Sequence, residues 1–326
     1  MQLPNLLIYA LWATLLGANL AQAASALEGE LGEANQALAN RDYAKAYQGY
    51  LRRSTTNPLA QFELGLMEER GWGRPVNQET ACTWYEKAAQ GGIPAAQQFL
   101  GNCYRAGIGR PADSKTALYW YGKAADSGIL IALCNAGDLY ISGQGVEKNI
   151  NYGLELCTRA AQGESVPAMK HLADYYRHGR GIPTNPVAAR YWYQQAAERH
   201  DLEAQFELAL MLSEGLGGPA DRTAAAFWLE QAARQGYSSA YLPLAVLYAN
   251  APVDSQSGAL PPEVLAKVYL WNQAAKAITS NPETLAQISR IEKLTLAVMP
   301  PQWKPALDRQ VTEHLAKFSQ LPVTQP

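Results

Sequence analysis

Alanine pairs recur through the middle of the chain at Ala88-Ala89, Ala124-Ala125, Ala160-Ala161, Ala196-Ala197 and Ala232-Ala233, 36 residues apart each time. A fixed period of this length constrains the fold more than composition can, because the chain must build one supersecondary unit repeatedly and bury its apolar faces between neighbours. Counted from Pro58, Pro94, Leu130, Val166 and Leu202, the third position of each unit holds Ala60, Ala96, Ala132, Ala168 and Ala204, and the seventh holds Leu64, Leu100, Ala136, Leu172 and Leu208. Two glycines follow in each unit: Gly71 and Gly73, Gly107 and Gly109, Gly143 and Gly145, Gly179 and Gly181, Gly215 and Gly217. Such glycines end a helix and turn the chain. Next come Trp84-Tyr85, Trp120-Tyr121, Leu156-Cys157, Trp192-Tyr193 and Trp228-Leu229, just before the alanine pair. Each unit therefore reads as helix, Gly-rich turn, helix.

At 100° per residue, positions 3, 7, 10 and 11 of the first helix share one face, which packs, while positions 2, 6, 9 and 13 lie opposite and are expected to vary freely. The small alanines let helices approach closely and the aromatic rings fill the space between units. The expected fold is all-α, a right-handed α-solenoid of about six to seven helix-turn-helix repeats of 36 residues with helical caps.

The pattern A-x3-L-G-x2-Y-x2-G-x-G in Ala96 to Gly109, followed by A-x2-W-Y-x2-A-A in Ala117 to Ala125, resembles the Sel-one-like repeat, a relative of the tetratricopeptide repeat. The resemblance divides the chain into five repeats over residues 58–237 and a sixth over 238–280, which carries about six extra residues around Pro252 to Pro262 before Trp271 and Ala274-Ala275. Residues 24–57 form a helical cap or degenerate repeat, with Leu27 to Ala39 and Asp42 to Ser54 as its helices. Residues 281–326 supply capping helices over Pro282 to Val298 and Pro301 to Phe318.

An uncharged apolar block from Leu6 to Leu16, followed by Ala21-Gln22-Ala23, reads as a signal peptide over residues 1–23. The block is shorter than the roughly 20 residues that span a bilayer, which argues against an uncleaved anchor. A periplasmic or secreted protein with no membrane span after cleavage is the expectation. Lys plus Arg number 27 against 29 Asp plus Glu, with no like-charged block longer than Arg52-Arg53, so the electrostatic footprint of a nucleic-acid binder is missing.

The four cysteines of an exported chain allow three pairings, and buried free thiols are the alternative. Antiparallel packing of adjacent helices brings Cys82, early in the second helix of the first unit, to the height of Cys103, late in the first helix of the second. Cysteine-rich members of the resembled family bridge these two helices, though nearer the opposite end. Cys134 and Cys157 lie on the two helices of the third unit with an expected mismatch of one helical turn, roughly 5 Å.

No H-E-x-x-H, G-x-S-x-G, S-x-x-K or C-x-x-C signature occurs, and no G-x-G pair extends to the G-x-G-x-x-G of a nucleotide loop. The sequence therefore predicts no enzyme, no catalytic residues and no cofactor. His171, Asp174 and His178 share a helix face and are metal-ligand residue types, but one helix cannot close a coordination sphere. They read as a polar patch rather than a metal site. The variable face of the first helices is the expected partner surface: Glu63, Glu69, Asn102, Arg105, Asn135, Asp138, His171, Asp174, Arg177, His178, Glu207 and Glu214. Its mixed charge suits a specific protein partner better than a uniform polyanion. Charge reversal at Asp174 or Glu207 is expected to weaken binding and spare the fold.

The resemblance implies one of two binding roles. In the first, the chain is a periplasmic immunity protein that neutralises a phospholipase-like toxin delivered by type VI secretion. In the second, it is an envelope scaffold for polysaccharide export or flagellar motor parts.

Overall fold

The computed structural model describes residues 28–318. The expected leader, residues 1–23, lies outside them, as do Leu27 and the last eight residues. The described residues form sixteen α-helices and no strand. In chain order these are α1 (Gly32–Ala39), α2 (Tyr43–Arg53), α3 (Pro58–Arg70), α4 (Gln78–Gln90), α5 (Pro94–Ala106), α6 (Ser114–Asp126), α7 (Ile131–Ser142) and α8 (Ile150–Gln162). Then follow α9 (Val166–His178), α10 (Pro186–Glu198), α11 (Leu202–Glu214), α12 (Arg222–Arg234), α13 (Tyr241–Ala249), α14 (Pro262–Ile278), α15 (Pro282–Val298) and α16 (Lys304–Phe318). The fold is an all-α solenoid of helix-turn-helix repeats. No helix among the described residues is long and apolar enough to cross a membrane.

The sequence punctuates these helices in phase. Asn77, Asp113, Asn149, Asn185 and Asp221 occupy one position of successive repeats, and each side chain accepts a hydrogen bond from a first-turn N–H of the following second helix. Capping of this kind stabilises a helix by about 1 kcal/mol. The first helices α3, α5, α7 and α11 end on Gly71, Gly107, Gly143 and Gly215 in the left-handed conformation, as the G-x-G spacing predicts. Both glycines of each G-x-G pair are left-handed, and each repeat then hands over to the next through a third such residue: Gly92, Gly128, Glu164, His200 or Gly236.

The chain divides into two compact units, residues 1–168 and 169–326. In the first, Ala60, Ala96 and Ala132 are fully buried with Leu64 and Leu100, and Ala88, Ala124 and Ala160 are equally enclosed. Gly65 and Gly101 leave room for rings from the partner helix: a Cβ on Gly101 would lie 2.5 Å from the Tyr121 ring. Helix α2 is fastened to the first repeat by Arg74, which pairs with Glu68 at 2.6 Å and lies over the Tyr47 ring, while Tyr43 stacks on Trp72.

Both expected cysteine pairs are disulfides. Cys82–Cys103 joins α4 to α5, and Cys134–Cys157 joins α7 to α8. The expected one-turn mismatch at the second bridge is not seen, and glycines let the two helices come close there. Repeat three has Gly153 where the other repeats have alanine, and Gly153 faces Gly137; a Cβ added there would meet the Gly137 carbonyl oxygen at 2.5 Å. Helices α7 and α8 therefore approach until the bridged Cα atoms are 3.9 Å apart. Cys157 stands at the position of Tyr85, Tyr121 and Tyr193, so the bridge occupies the place of a ring.

In the second unit Ala204, Leu208, Ala232 and Ala233 repeat the same core. Beyond the fifth repeat the first helix of the next pair is short and the second long: a 3-10 turn at Ser238–Ala240 leads into α13, and the segment before α14 is ordered by Asp254, whose carboxylate accepts from the Gln256 and Ser257 N–H groups. Trp271, Ala274 and Ala275 are buried. Helix α16 folds back to place His314 among Tyr241, Trp271 and Phe318, and its imidazole Nε2 lies 3.0 Å from the Tyr241 hydroxyl.

Candidate partner-binding surface

The face expected to vary freely is half-buried in the folded chain. Its position 6 is partly or wholly covered because that side chain lies between neighbouring repeats: Phe99, at position 6 of the second repeat, packs on Phe62 and Tyr85 of the first, with ring centroids 5.8 and 4.9 Å away. Glu63 and Asn135 hold the same position and are only 6% and 8% exposed. The structure thus puts these two in the interior, a departure from the surface role expected of them. Position 13 is the one exposed in every repeat, and there His178 and Glu214 lie open to solvent.

In the first unit the remaining residues of this face are tied to the scaffold. The Tyr85 hydroxyl donates to Glu69, and the Tyr121 hydroxyl donates to Asn102 at 2.8 Å. Arg105 of the second repeat pairs with Asp138 of the third at 3.1 Å, and its backbone carbonyl accepts from the Gln144 amide. Burial, opposed by the Arg105 charge and reinforced by Asp138, pushes the Tyr121 hydroxyl up to about 12. Tyr85 is also raised, by burial first and then by the charge and hydrogen bond of Glu69.

The second unit repeats the arrangement. Tyr193 donates to Asp174 and is raised by burial and that carboxylate, Arg177 pairs with Glu207, and Lys170 pairs with Glu203. His171 stacks on Tyr175 with centroids 5.1 Å apart. The three side chains weighed as metal ligands thus face different tasks: His171 stacks, Asp174 holds a phenol, and His178 is exposed. Among the described residues, the ligand-type side chains whose atoms converge are Cys134, Asp138 and Cys157, and both sulfurs are committed to a disulfide.

The residues missed from sequence are the tyrosines that organise this surface. Tyr85, Tyr121 and Tyr193 recur at one position, and a buried phenol needs a partner for its hydroxyl. The periodic tyrosine next to a periodic polar position on the facing helix was the available signal. Two residues earlier, and so on the opposite side of the second helices, stand Tyr119, Tyr191 and Phe227, each more than half exposed and edge-on to the following Trp.

The arrangement offers a preorganised polar surface in each unit, with side chains held in place by neighbours from the same and adjacent repeats. A profile described as the Sel1 repeat matches residues 58–93, 94–129, 130–165, 166–201 and 202–237, the same five units that the alanine pairs define. Among solved structures, a Sel1 repeat protein from Oxalobacter formigenes is similar with a TM-score of 0.55 and 26% identity, covering 76% of this chain and 100% of that one. The protective antigen c5321 of uropathogenic Escherichia coli, which displays an SLR fold, is similar with a TM-score of 0.54 and 22% identity, covering 93% of this chain and 66% of that one. The immunity protein Pa5087 from Pseudomonas aeruginosa aligns with a TM-score of 0.47 and 23% identity, covering 64% of this chain and 81% of that one. No curated protein matches the chain.

Proposed function

Because the chain belongs to the Sel1 repeat family, whose units fill residues 58–237, we propose that it is an exported, non-catalytic module that binds one specific protein through the polar face of its first helices. The observation that carries this reading is the internal pairing of that face. Glu69, Asn102, Arg105, Asp138, Asp174, Arg177 and Glu207 are each held by a tyrosine or an opposite charge. A surface fixed before the partner arrives loses little side-chain freedom on binding, which favours tight and selective recognition. His178 and Glu214 are the expected first contacts, since they are exposed at the rim of that face.

The role we infer is that of an immunity protein for a secreted, phospholipase-like toxin. Two disulfides suit an oxidising compartment outside the cytosol, in keeping with the leader read from the sequence. An inhibitor of this kind needs a stable surface and no chemistry of its own. The test is affinity capture of secreted and envelope proteins by the purified chain, followed by assay of the captured protein. Recovery of one toxin in equimolar amount, with its lipase activity abolished at a 1:1 ratio, supports the immunity role. Recovery of several export or motor components together, with no activity inhibited, overturns it in favour of an envelope scaffold.

A further inference from the structure

The cap helices enclose an open pocket of about 480 Å³ that the partner-binding reading does not use. Its floor is the contact of Gly49 with Ala34, where a Cβ on the glycine would lie 2.7 Å from the alanine methyl. Glu30 and Glu33 line one wall at the start of α1, and Lys45, Arg52 and Arg53 line the other from a single face of α2. Among the described residues, none of these five side chains forms an ion pair. Glu30 accepts only from the Asn57 amide at 3.3 Å, and Arg52 donates only to the Gln48 carbonyl at 3.3 Å. An acidic wall and a basic wall thus face each other across a volume large enough to hold a small molecule.

A ligand bearing both charges satisfies both walls at once. Two guanidinium forks and an ammonium offer more donors than the two oxygens of a carboxylate can accept, which favours a phosphate. The two carboxylates suit a primary ammonium, which donates hydrogen bonds that a quaternary one cannot. Three cations against two carboxylates leave the pocket one positive charge in excess, matching a phosphate monoester of about two negative charges joined to one ammonium. We propose that this pocket binds a phosphoethanolamine group, its phosphate on Lys45, Arg52 and Arg53 and its ammonium on Glu33 and Glu30. The group can come from a free monoester, which matches the pocket's charge, or from a lipid headgroup, whose phosphodiester carries one negative charge and leaves one of the pocket's cations in excess.

Titration calorimetry of the purified protein with O-phosphoethanolamine, inorganic phosphate and ethanolamine tests the site, and vesicle co-sedimentation identifies the source. The expected result is one site that prefers phosphoethanolamine to either fragment by at least about tenfold. The double variant Lys45→Ala, Arg52→Ala should lose about tenfold or more in affinity, and Glu33→Gln should erase the preference over inorganic phosphate while phosphate itself still binds. These side chains are exposed, so an unchanged thermal midpoint shows that each variant is folded. Sedimentation with phosphatidylethanolamine vesicles but not phosphatidylcholine vesicles supports the lipid source, and calorimetric binding without sedimentation supports the free one. Equal affinity for phosphate and phosphoethanolamine, or binding in neither assay, overturns the proposal.

Discussion

The last left-handed position of each repeat is filled by glycine three times and by a larger side chain twice, at Glu164 and His200. A Cβ in that conformation costs about 1 to 2 kcal/mol, whereas a glycine loses about 0.5 to 1 kcal/mol more on folding. His200→Gly is therefore expected to stabilise the protein by about 0.5 to 1 kcal/mol, read from the midpoint of urea unfolding. The tyrosine hydroxyls have the opposite sense. The Tyr121 phenol is displaced from 10.0 to about 12 in the folded chain, so its contribution is whole below pH 10 and is lost as pH rises through 12. Stability should fall across that window by about 2 to 3 kcal/mol on account of this group. Tyr121→Phe should remove that share of the slope, and the loss of its bond to Asn102 should cost about 1 kcal/mol at neutral pH. A slope unchanged in the variant would put the alkaline transition on other tyrosines. Glu207→Lys, which the sequence alone placed on a free surface, should instead lower stability by about 1 to 2 kcal/mol, because Arg177 loses its counter-ion and gains a like charge. Differential scanning calorimetry checks this.

A repeat is legible at the level of its helices because its signals recur in phase. The helix pairs, the glycine turns and the buried alanines follow from spacing alone, and α15 begins and ends at the residues the apolar pattern marks, whereas the cysteine spacing left three pairings open and set Cys134 and Cys157 one turn apart. The binding face was less legible. A helical wheel treats one helix in isolation, so it cannot show that position 6 is covered by a neighbouring repeat, as Phe99 against Phe62 of the preceding repeat makes plain. Nor does it show that a phenol on the second helix will claim Glu69 or Asp174. The five in-phase caps lie in Asn and Asp at helix starts, a signal with the same period as the glycines at helix ends. Asp221→Ala tests one of them directly: the Ala224 N–H loses its acceptor, and α12 should fray at a cost of about 1 kcal/mol, seen as faster amide exchange in its first turn.

At the scale of the molecule, all covalent bracing falls in the unit before residue 169, because the chain carries four cysteines and each lies between Cys82 and Cys157. The two bridges close loops of 21 and 23 residues, each expected to restrict the unfolded chain by about 3 kcal/mol. Reduction should therefore lower the unfolding midpoint and raise amide exchange in α4, α5, α7 and α8. Exchange rates that do not move on reduction would show that packing alone secures these helices. The bridges differ in their place in the repeat. Cys82 and Cys103 belong to successive repeats, whereas Cys134 and Cys157 belong to the same one. When an array lengthens by copying one 36-residue segment, a copy of repeat three carries its own staple intact. A copy of repeat one or repeat two carries a single cysteine and leaves one thiol without a mate. The third repeat is thus a self-contained cassette, heritable with its cross-link, and the first two can be duplicated without an orphan only as a pair.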